Sequence, residues 1–335
     1  AALAAGLALA AAALAGCGGG DEGGGSTTGT AATQRATLVL DWFPNVDHAG
    51  VYAGLAGGAF TRAGVTLRTR VPADPSATLK EVGAGKADLA LSYQPEVLIA
   101  RSQGVPVRAI GAVVVHPLNA IMARADRGIT RPRDLEGKTV GIAGVPSDRP
   151  LLDTVVRDDG GDPGKVKTRV VGFSLAPALA AGRVDAVIGA YWNVEGVDLR
   201  SRGVPLRIFR LEQHGVPDYD ELVVVTSDRV ARERPDMLRA ALAGLAEGQR
   251  AAVQDPQAAA AALVKANPDI DAKDLPEQLR LTAPLLVPPG GAPLTLRPAE
   301  WATFAAWMRR NGLLTRPVDV SQAVTTEFLP QGTGR

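Results

Sequence analysis

Two segments of the sequence repeat the same order of glycine, aspartate, tyrosine and glutamate. Residues 84–88 lead into LALSYQPE, and residues 181–185 lead into AVIGAYWNVE. In each segment the glycine suits the end of a helix, and the aspartate opens a short apolar strand. A tyrosine and a glutamate then follow, namely Tyr93 with Glu96 and Tyr191 with Glu195. Open α/β sheets bind ligands at the carboxyl ends of their strands, so the repeat predicts two lobes facing a shared cleft. A chance likeness between two strand–helix units is the alternative.

Tryptophan and tyrosine are scarce, with four of each in the chain, so their positions are informative. Five of them lie next to predicted strands: Trp42, Tyr93, Tyr191, Trp192 and Tyr219. For any single ring, core packing is the alternative. Five rings at the same edge favour a surface that stacks on a planar ligand. The other three, Tyr52, Trp301 and Trp307, lie on predicted helices and are expected in the core.

The polar residues near these rings are mainly acidic or neutral: Asp41, Asn45, Glu96, Asn119, Glu195, Asp220 and Glu221. An anionic ligand would need arginine, lysine or free helix N-termini. Arg149 is the basic candidate, and a solvated position in the first turn of a helix is its alternative role. The composition of the site therefore favours a ligand with N–H donors, such as an aminopyrimidine whose exocyclic amine donates to a carboxylate.

Length, charge and cysteine content exclude several classes of protein. A chain of 335 residues is longer than one core usually supports, and its formal charge of +1 argues against nucleic acid as a partner. A single cysteine excludes an internal disulfide framework and a multi-cysteine zinc site. The three histidines, His48, His116 and His214, lack the spacing of metal ligands, so we expect no metal site.

Strand and helix patterns alternate over most of the chain and predict parallel α/β sheets. After residue 227 the pattern predicts helices alone, at 235–253, 256–266 and 298–311, with proline near each start. The predicted strands are 37–41, 65–71, 88–92, 107–115, 139–142, 166–171, 185–188, 206–211 and 222–226.

The N-terminal residues predict export and a lipid anchor. Residues 1–16 are an uncharged Ala/Leu-rich run typical of the apolar region of a signal peptide, and we expect the precursor to begin upstream. Leu14-Ala15-Gly16-Cys17 resembles the lipobox of bacterial lipoproteins, in which the cysteine becomes lipidated. Residues 17–36 then form a lipidated cysteine and a flexible linker. A buried helix with a free cysteine is the alternative. We expect an extracytoplasmic protein, on the periplasmic side or on the outer face of a single-membrane cell, whose only membrane contact is the lipid.

Several longer segments resemble one protein family. They are LDWFPNVDHAGVYAGLAGGAFTRAGV, SYQPEVLIARSQGVPV, AVVVHPLNAIMA, GAYWNVEG and HGVPDYDELVV. They are similar to the family that joins fungal thiamine-pyrimidine synthase to substrate-binding proteins of bacterial ABC transporters. The last three segments look most like the binding proteins for thiamine pyrimidine precursors, formylaminopyrimidine or hydroxymethylpyrimidine.

The resemblance implies a two-lobed periplasmic-binding-protein fold of the second type, α/β in class, with a hinge and a ligand cleft between the lobes. Lobe 1 would comprise residues 37–120 plus 225–335, lobe 2 would comprise 121–224, and the crossovers would lie near 117–124 and 217–225. It further implies an ABC permease and its ATPase as partners, a monomer, and no cofactor. The implied ligand-binding residues are Trp42, Asn45, His48, Tyr93, Ser147, Tyr191, Trp192, Glu195, Tyr219 and Asp220.

Other functions stay open at this stage. Riboflavin, sulfonate and nitrate binders are relatives of the same family, and a ligand sensor would need no transporter. The fungal relatives are synthases that consume a histidine and pyridoxal phosphate. Here no lysine stands between the linker and Lys80 to hold that cofactor, and one cysteine cannot form the cysteine-rich iron motif of those enzymes. We therefore expect a binding protein without catalytic residues.

Overall fold

The computed structural model describes residues 33–330. Cys17, residues 1–16 and most of the predicted linker lie outside the described residues, so lipid attachment stays a prediction. Within residues 33–330, no helix has both the length and the apolar character needed to cross a membrane.

Ten strands form two five-stranded sheets. The first sheet has the order β2-β1-β3-β10-β4, and the second has the order β7-β6-β8-β5-β9. The strands are β1 (Gln34–Val39), β2 (Val65–Arg70), β3 (Leu89–Ser92), β4 (Val107–Val114), β5 (Asn119–Arg124), β6 (Thr139–Ile142), β7 (Lys167–Val170), β8 (Ala186–Tyr191), β9 (Leu206–Arg210) and β10 (Leu222–Ser227).

Both sheets are mixed, so the prediction of parallel sheets was incomplete. In the first sheet β10 is antiparallel to β3 and β4, and in the second sheet β5 is antiparallel to β8 and β9. These two strands enter their sheets directly from the other sheet, through residues 115–118 and 211–221. A parallel neighbour would need a longer crossover connection. Residues 119–124, expected to belong to a hinge crossover, are β5, and the division into lobes stays a prediction.

Helices cover the sheets, and the C-terminal third is mainly helical, as predicted. Helices α9, α10 and α12 confirm the three predicted helices, whereas α8, α11 and α13 were not predicted. The helices are α1 (Ala49–Ala56), α2 (Ala59–Arg62), α3 (Thr78–Gly83), α4 (Gln94–Ser102), α5 (Asp148–Asp158), α6 (Leu175–Ala180), α7 (Glu195–Ser201), α8 (Asp228–Glu233), α9 (Pro235–Gln254), α10 (Pro256–Ala266), α11 (Leu275–Leu286), α12 (Pro298–Arg310) and α13 (Val320–Ala323).

The short sequence repeat has a structural counterpart in each sheet. Gly85 and Gly182 have φ values of 73° and 66°, the left-handed conformation that favours glycine after a helix. Asp88 then accepts a hydrogen bond from the backbone N–H of Thr37 at 2.9 Å. Asp185 makes the equivalent bond with the N–H of Thr139, also at 2.9 Å. Each aspartate thus fixes its strand against the neighbouring strand, which sets where that strand ends.

Candidate functional site

A cleft lies between the carboxyl ends of strands from the two sheets. We use "cleft" for two adjoining cavities that share Trp42, Tyr93, Gly189 and Tyr191. Trp42 and Tyr93 follow β1 and β3 of the first sheet, whereas Tyr191 ends β8 of the second. Most of the predicted binding residues line the cleft, namely Trp42, Asn45, Tyr93, Ser147, Tyr191, Glu195 and Tyr219.

Aromatic rings from the two sheets meet at the cleft. The ring centroids of Tyr93 and Tyr191 are 6.5 Å apart in an edge-on arrangement. Trp42 makes a second edge-on contact with Phe173, at 4.7 Å, and Phe43 contacts the same ring at 4.7 Å. Phe173 was not among the predicted residues, because that prediction rested on the positions of tryptophan and tyrosine. The rings leave flat apolar walls suited to a planar ligand.

Asp41 lines the cleft, and its carboxylate is hydrogen-bonded to the buried side chain of His48. The Tyr93 hydroxyl donates to Asp41 Oδ2 at 2.9 Å, and His48 Nε2 lies 2.8 Å from Asp41 Oδ1. His48 Nδ1 accepts from the backbone N–H of Asn45 at 3.1 Å, which places the ring proton on Nε2. His48 is fully buried and does not line the cleft. Its predicted role as a ligand contact is therefore corrected to that of a residue that orients Asp41.

Trp192 also lies away from the cleft, contrary to the prediction. Its Nε1 donates to the carbonyl of Pro117 at 3.1 Å, and the guanidinium of Arg210 lies 3.9 Å from its ring centroid. Neighbouring residues at the end of a strand point to opposite faces. Since Tyr191 faces the cleft, Trp192 faces the other side.

The same alternation separates Asp220 from Glu221. Asp220 accepts a hydrogen bond from Trp301 Nε1 at 2.7 Å, and its N–H donates to Gln94 at 2.8 Å, so this predicted contact does not line the cleft. Glu221, the next residue, lines the cleft instead. The sequence contains a signal for Glu221, because this residue is one of the polar residues close to the predicted aromatic rings.

Glu221 connects the cleft to both chain crossings. Its Oε2 accepts from the backbone N–H groups of Leu118 and Asn119 at 2.7 and 2.9 Å, and from the Tyr219 hydroxyl at 3.0 Å. The Tyr191 hydroxyl donates to its other oxygen at 3.3 Å. Glu221 therefore ties the aromatic residues of the cleft to the segments that join the two sheets.

Two hydrogen-bond sets cross from one sheet to the other beside the cleft. Glu96, at the start of α4, accepts from the N–H of Ser147, before α5, at 2.8 Å. The side-chain amide of Asn193, after β8, donates to Asp47 at 2.8 Å and to Thr282 of α11 at 2.6 Å. These contacts hold the two sides of the cleft together. Neither Asp47 nor Asn193 was predicted, since each is distant in sequence from its partner.

The cleft is strongly acidic. Burial raises the pKa values of Glu195, Glu221 and Asp148 to about 7. Burial also raises the pKa of Asp47 well above its usual value, although the hydrogen bond from Asn193 opposes the shift. Among the described residues that line the cleft, none is lysine, arginine or histidine.

Arg149, the basic candidate from the sequence, belongs to another part of the surface. Its guanidinium pairs with Asp153 at 2.6 Å and donates to the carbonyls of Pro163 and Val166. These bonds join helix α5 to the segment before β7. Arg149 therefore has a structural role, and it brings no positive charge to the cleft. Within residues 33–330 no cluster of three or more His, Cys, Asp or Glu side chains is arranged to hold a metal ion.

Comparisons with known proteins connect this site to a family. The formylaminopyrimidine-binding protein of Halalkalibacterium halodurans is 33% identical over 300 residues, covering 88% of this chain and 91% of the relative. The 4-amino-5-hydroxymethyl-2-methylpyrimidine phosphate synthase of Legionella pneumophila is 24% identical over 300 residues, covering 89% and 93%. Both relatives therefore match nearly the whole of the described region.

Solved structures confirm the predicted fold class. The alkanesulfonate-binding protein SsuA of Xanthomonas axonopodis pv. citri, bound to MOPS, superposes with a TM-score of 0.68 at 17% identity. It covers 88% of this chain and 98% of the solved one. The two α/β sheets thus have the periplasmic-binding-protein fold. The sequence pattern of the family described as NMT1/THI5 like matches residues 45–259. With that match and the 33% identical relative, the chain belongs to the NMT1/THI5-like family.

Proposed function

We propose that this protein is the extracytoplasmic substrate-binding component of an ABC importer and that it carries a thiamine pyrimidine precursor in the cleft. Formylaminopyrimidine and hydroxymethylpyrimidine are the proposed ligands. One observation carries the proposal: the cleft combines aromatic walls with several buried carboxylates and, among its described lining residues, no basic side chain. The 33% identical relative is a formylaminopyrimidine-binding protein, which supports the same ligand class.

The carboxylates match the edge of an aminopyrimidine. An exocyclic amine donates hydrogen bonds, and the ring nitrogens accept them. Because burial raises the pKa values of Glu195 and Glu221 to about 7, these groups serve as acceptors when ionised and as donors when protonated near neutral pH. Asp148 lines the cleft, and its Oδ1 is buried without a hydrogen-bond partner. A ligand N–H would satisfy that oxygen.

An anionic ligand fits this cleft poorly. Sulfonate or nitrate would meet Asp41, Glu195 and Glu221, with no cationic side chain among the described lining residues to offset their charge. Like charges in a buried site repel strongly because water screens them little. The likeness to a sulfonate-binding protein, at 17% identity, concerns the fold alone.

Isothermal titration tests the ligand directly. We expect saturable one-to-one binding of formylaminopyrimidine or hydroxymethylpyrimidine, with much weaker binding of riboflavin and of an alkanesulfonate. Tight riboflavin binding without pyrimidine binding would contradict the proposed ligand and would favour the riboflavin alternative. Absence of binding to all four compounds would favour a sensor of some other molecule.

The Glu195→Gln variant tests the role of a single carboxylate. Glu195 accepts from the N–H of Tyr191 at 2.8 Å, and a glutamine oxygen preserves that bond while removing the acidic group. We expect the pyrimidine Kd to rise about tenfold or more, because a charge-assisted bond to the amine is lost. Glu277→Gln, the same substitution at an exposed carboxylate of α11 that pairs with Arg280, is the matched control and should leave Kd unchanged. A lower melting temperature with unchanged Kd for Glu195→Gln would show a structural role.

We further propose that the protein binds its ligand without transforming it. None of the described residues lining the cleft is a lysine that could hold pyridoxal phosphate. Lys80, an exposed residue of α3, lines a neighbouring cavity and not the cleft itself. The Legionella relative is named a synthase, although its identity to this chain is lower than that of the binding protein. Catalysis therefore needs a test of its own. Incubation with pyridoxal phosphate and iron should consume no cofactor. Consumption that a His48→Leu variant abolishes would overturn this proposal.

The proposed location and partners follow from the N-terminal sequence and the fold. Cys17 would carry the lipid, and an ABC permease with its ATPase would receive the ligand from a monomeric binding protein. Expressed from its full precursor, the protein should fractionate with membranes and take up labelled palmitate, and Cys17→Ser should release it. Membrane association that persists in Cys17→Ser would contradict lipid anchoring at this residue.

A further inference from the structure

A second cavity opens beside the cleft on the side of the first sheet. This side chamber has a volume of about 70 Å³ and shares Asp41 and Tyr93 with the cleft. Helices α3 and α4 contribute to its wall, and so do Val145 and Pro146, which follow β6 of the second sheet. The side chamber therefore adjoins the cleft at Asp41 and Tyr93.

The wall of the side chamber is mainly apolar. Its carboxylates already have partners: Asp41 is bonded to Tyr93 and His48, and Glu96 accepts from Ser147. The chamber thus offers little to the amine edge of a pyrimidine, which the carboxylates of the cleft suit better. Its apolar residues include Leu79, Leu91, Ile99, Ala100 and Val105.

Other polar side chains also line the chamber, namely Ser76, Thr78, Lys80, Ser92 and Gln103. Among these, Thr78 is the residue whose side-chain polar atom is buried without a partner. It lies at the start of α3, lines the side chamber and is only 3% exposed. Its hydroxyl has no hydrogen-bond partner among the described residues. A buried unpaired hydroxyl destabilises the protein, and most such groups in folded proteins have a partner. A polar atom of a ligand would supply the missing partner.

We propose that the side chamber receives the N-formylaminomethyl substituent of the pyrimidine and that the Thr78 hydroxyl donates to its formyl oxygen. The inference rests on the proposed function and adds the choice between the two precursors. A hydroxymethyl substituent is two heavy atoms shorter and has no carbonyl. It leaves Thr78 unpaired, so Thr78 favours the formylated ligand.

The Thr78→Val variant isolates this bond, since valine has nearly the shape of threonine without its hydroxyl. We expect the Kd of formylaminopyrimidine to rise about tenfold, because its carbonyl is then buried unpaired. The Kd of hydroxymethylpyrimidine should change by less than about twofold by the same argument. Thr78→Ser keeps the hydroxyl and should retain the preference for the formylated ligand.

The Thr154→Val variant is the matched control. Thr154 is also buried, but its hydroxyl bonds to the carbonyl of Pro150 within α5, and it does not line the side chamber. It should leave both affinities unchanged, and thermal unfolding of every variant checks that each is folded. Equal weakening of both pyrimidines by Thr78→Val, or no weakening of either, would overturn the inference alone. Failure of the unmodified protein to bind either pyrimidine would overturn the proposed function and this inference together.

Discussion

Asp41 owes its orientation to residues that the ligand does not need to touch. The Tyr93 hydroxyl and His48 Nε2 occupy its two oxygens at 2.9 and 2.8 Å. The backbone N–H of Asn45 binds the other nitrogen of His48 and thereby fixes the ring. An oriented carboxylate loses less conformational entropy on binding than a mobile one, so this network favours ligand binding through preorganisation.

Replacing His48 by leucine should destabilise the protein and weaken ligand binding together. The change leaves the Asp41 oxygen and the Asn45 N–H without their partners in a buried site, at a cost of about 1–3 kcal/mol for each group. Thermal unfolding and titration calorimetry measure the two effects. His214→Leu, at a partly exposed histidine far from Asp41 in the sequence, should change neither by a comparable amount. An unaltered melting temperature in His48→Leu would contradict the inferred network.

From the sequence it is easier to predict which chain segments reach the cleft than to predict which side chain of each segment faces it. Tyr191 and Glu221 line the cleft, whereas their neighbours Trp192 and Asp220 bond to Pro117 and Trp301 on other faces. The period of two in extended chain separates such neighbours. Its phase depends on pairing with distant strands, which residue types alone do not reveal.

At the scale of helices, the position of the Asp41–His48 segment depends on a close contact between α1 and α9. Gly50 and Gly54 of α1 face Gly244 and Gly248 of α9. A Cβ at Gly248 would lie 2.1 Å from the carbonyl oxygen of Gly50 and 2.9 Å from the Cα of Gly54. The two backbones approach each other too closely for any side chain between them. Because α1 follows His48 directly, this contact also locates one wall of the cleft.

The Gly248→Ala variant should therefore push the two helices apart. We expect a loss of about 1–3 kcal/mol or more in the free energy of unfolding, since neither backbone can move without repacking its neighbours. Denaturant unfolding measures the loss. Arg250→Ala, at an exposed position of the same helix, is the control and should stay within about 0.5 kcal/mol of the unmodified protein. Equal stability of Gly248→Ala and Arg250→Ala would show that the helices separate freely.

Most elements could be predicted from apolar patterns, and two of those that were missed, β5 and α11, have a common cause. Strand β5 begins just after Pro117, and helix α11 contains Pro284 in its last turn, so both segments look like turns. In the structure β5 pairs with β8 on one side and β9 on the other. Tertiary pairing thus overrides the local signal, and that information is absent from the segment itself.

For the whole molecule, the two crossings between the sheets are linked side by side. His116 lies in the first crossing, and its Nδ1 is 2.8 Å from Asp218 in the second, with Glu212 at 3.7 Å from Nε2. The protonated ring donates to Asp218 and lies near the Glu212 carboxylate, and these two contacts raise the pKa of His116 to about 9. Together with the hydrogen bonds of Glu221, the contact between His116 and Asp218 joins the two crossings into one unit. We propose that this unit is the hinge between lobe 1 (37–120 plus 225–335) and lobe 2 (121–224).

The raised pKa values predict that the ligand-free protein loses stability as the pH rises from about 5 to about 9. Glu195, Glu221, Asp148 and Asp220 have folded-state pKa values of about 7, so the folded state binds more protons than the unfolded state between about pH 4 and 7. His116 acts in the same direction between about pH 6.5 and 9. The melting temperature should therefore fall from pH 5 to 7 and again from 7 to 9.

Two variants separate these contributions in the same thermal scans. Glu221→Gln removes one buried acid and should reduce the fall between pH 5 and 7, whereas His116→Gln should reduce the fall between pH 7 and 9. Surface carboxylates with lowered pKa values, such as Asp159 at about 2, lose their stabilising effect only at more acidic pH, so they do not oppose this trend. A melting temperature that rises steadily from pH 5 to 9 would contradict the protonation states inferred for the cleft. It would mean that the carboxylates are ionised there even without a ligand.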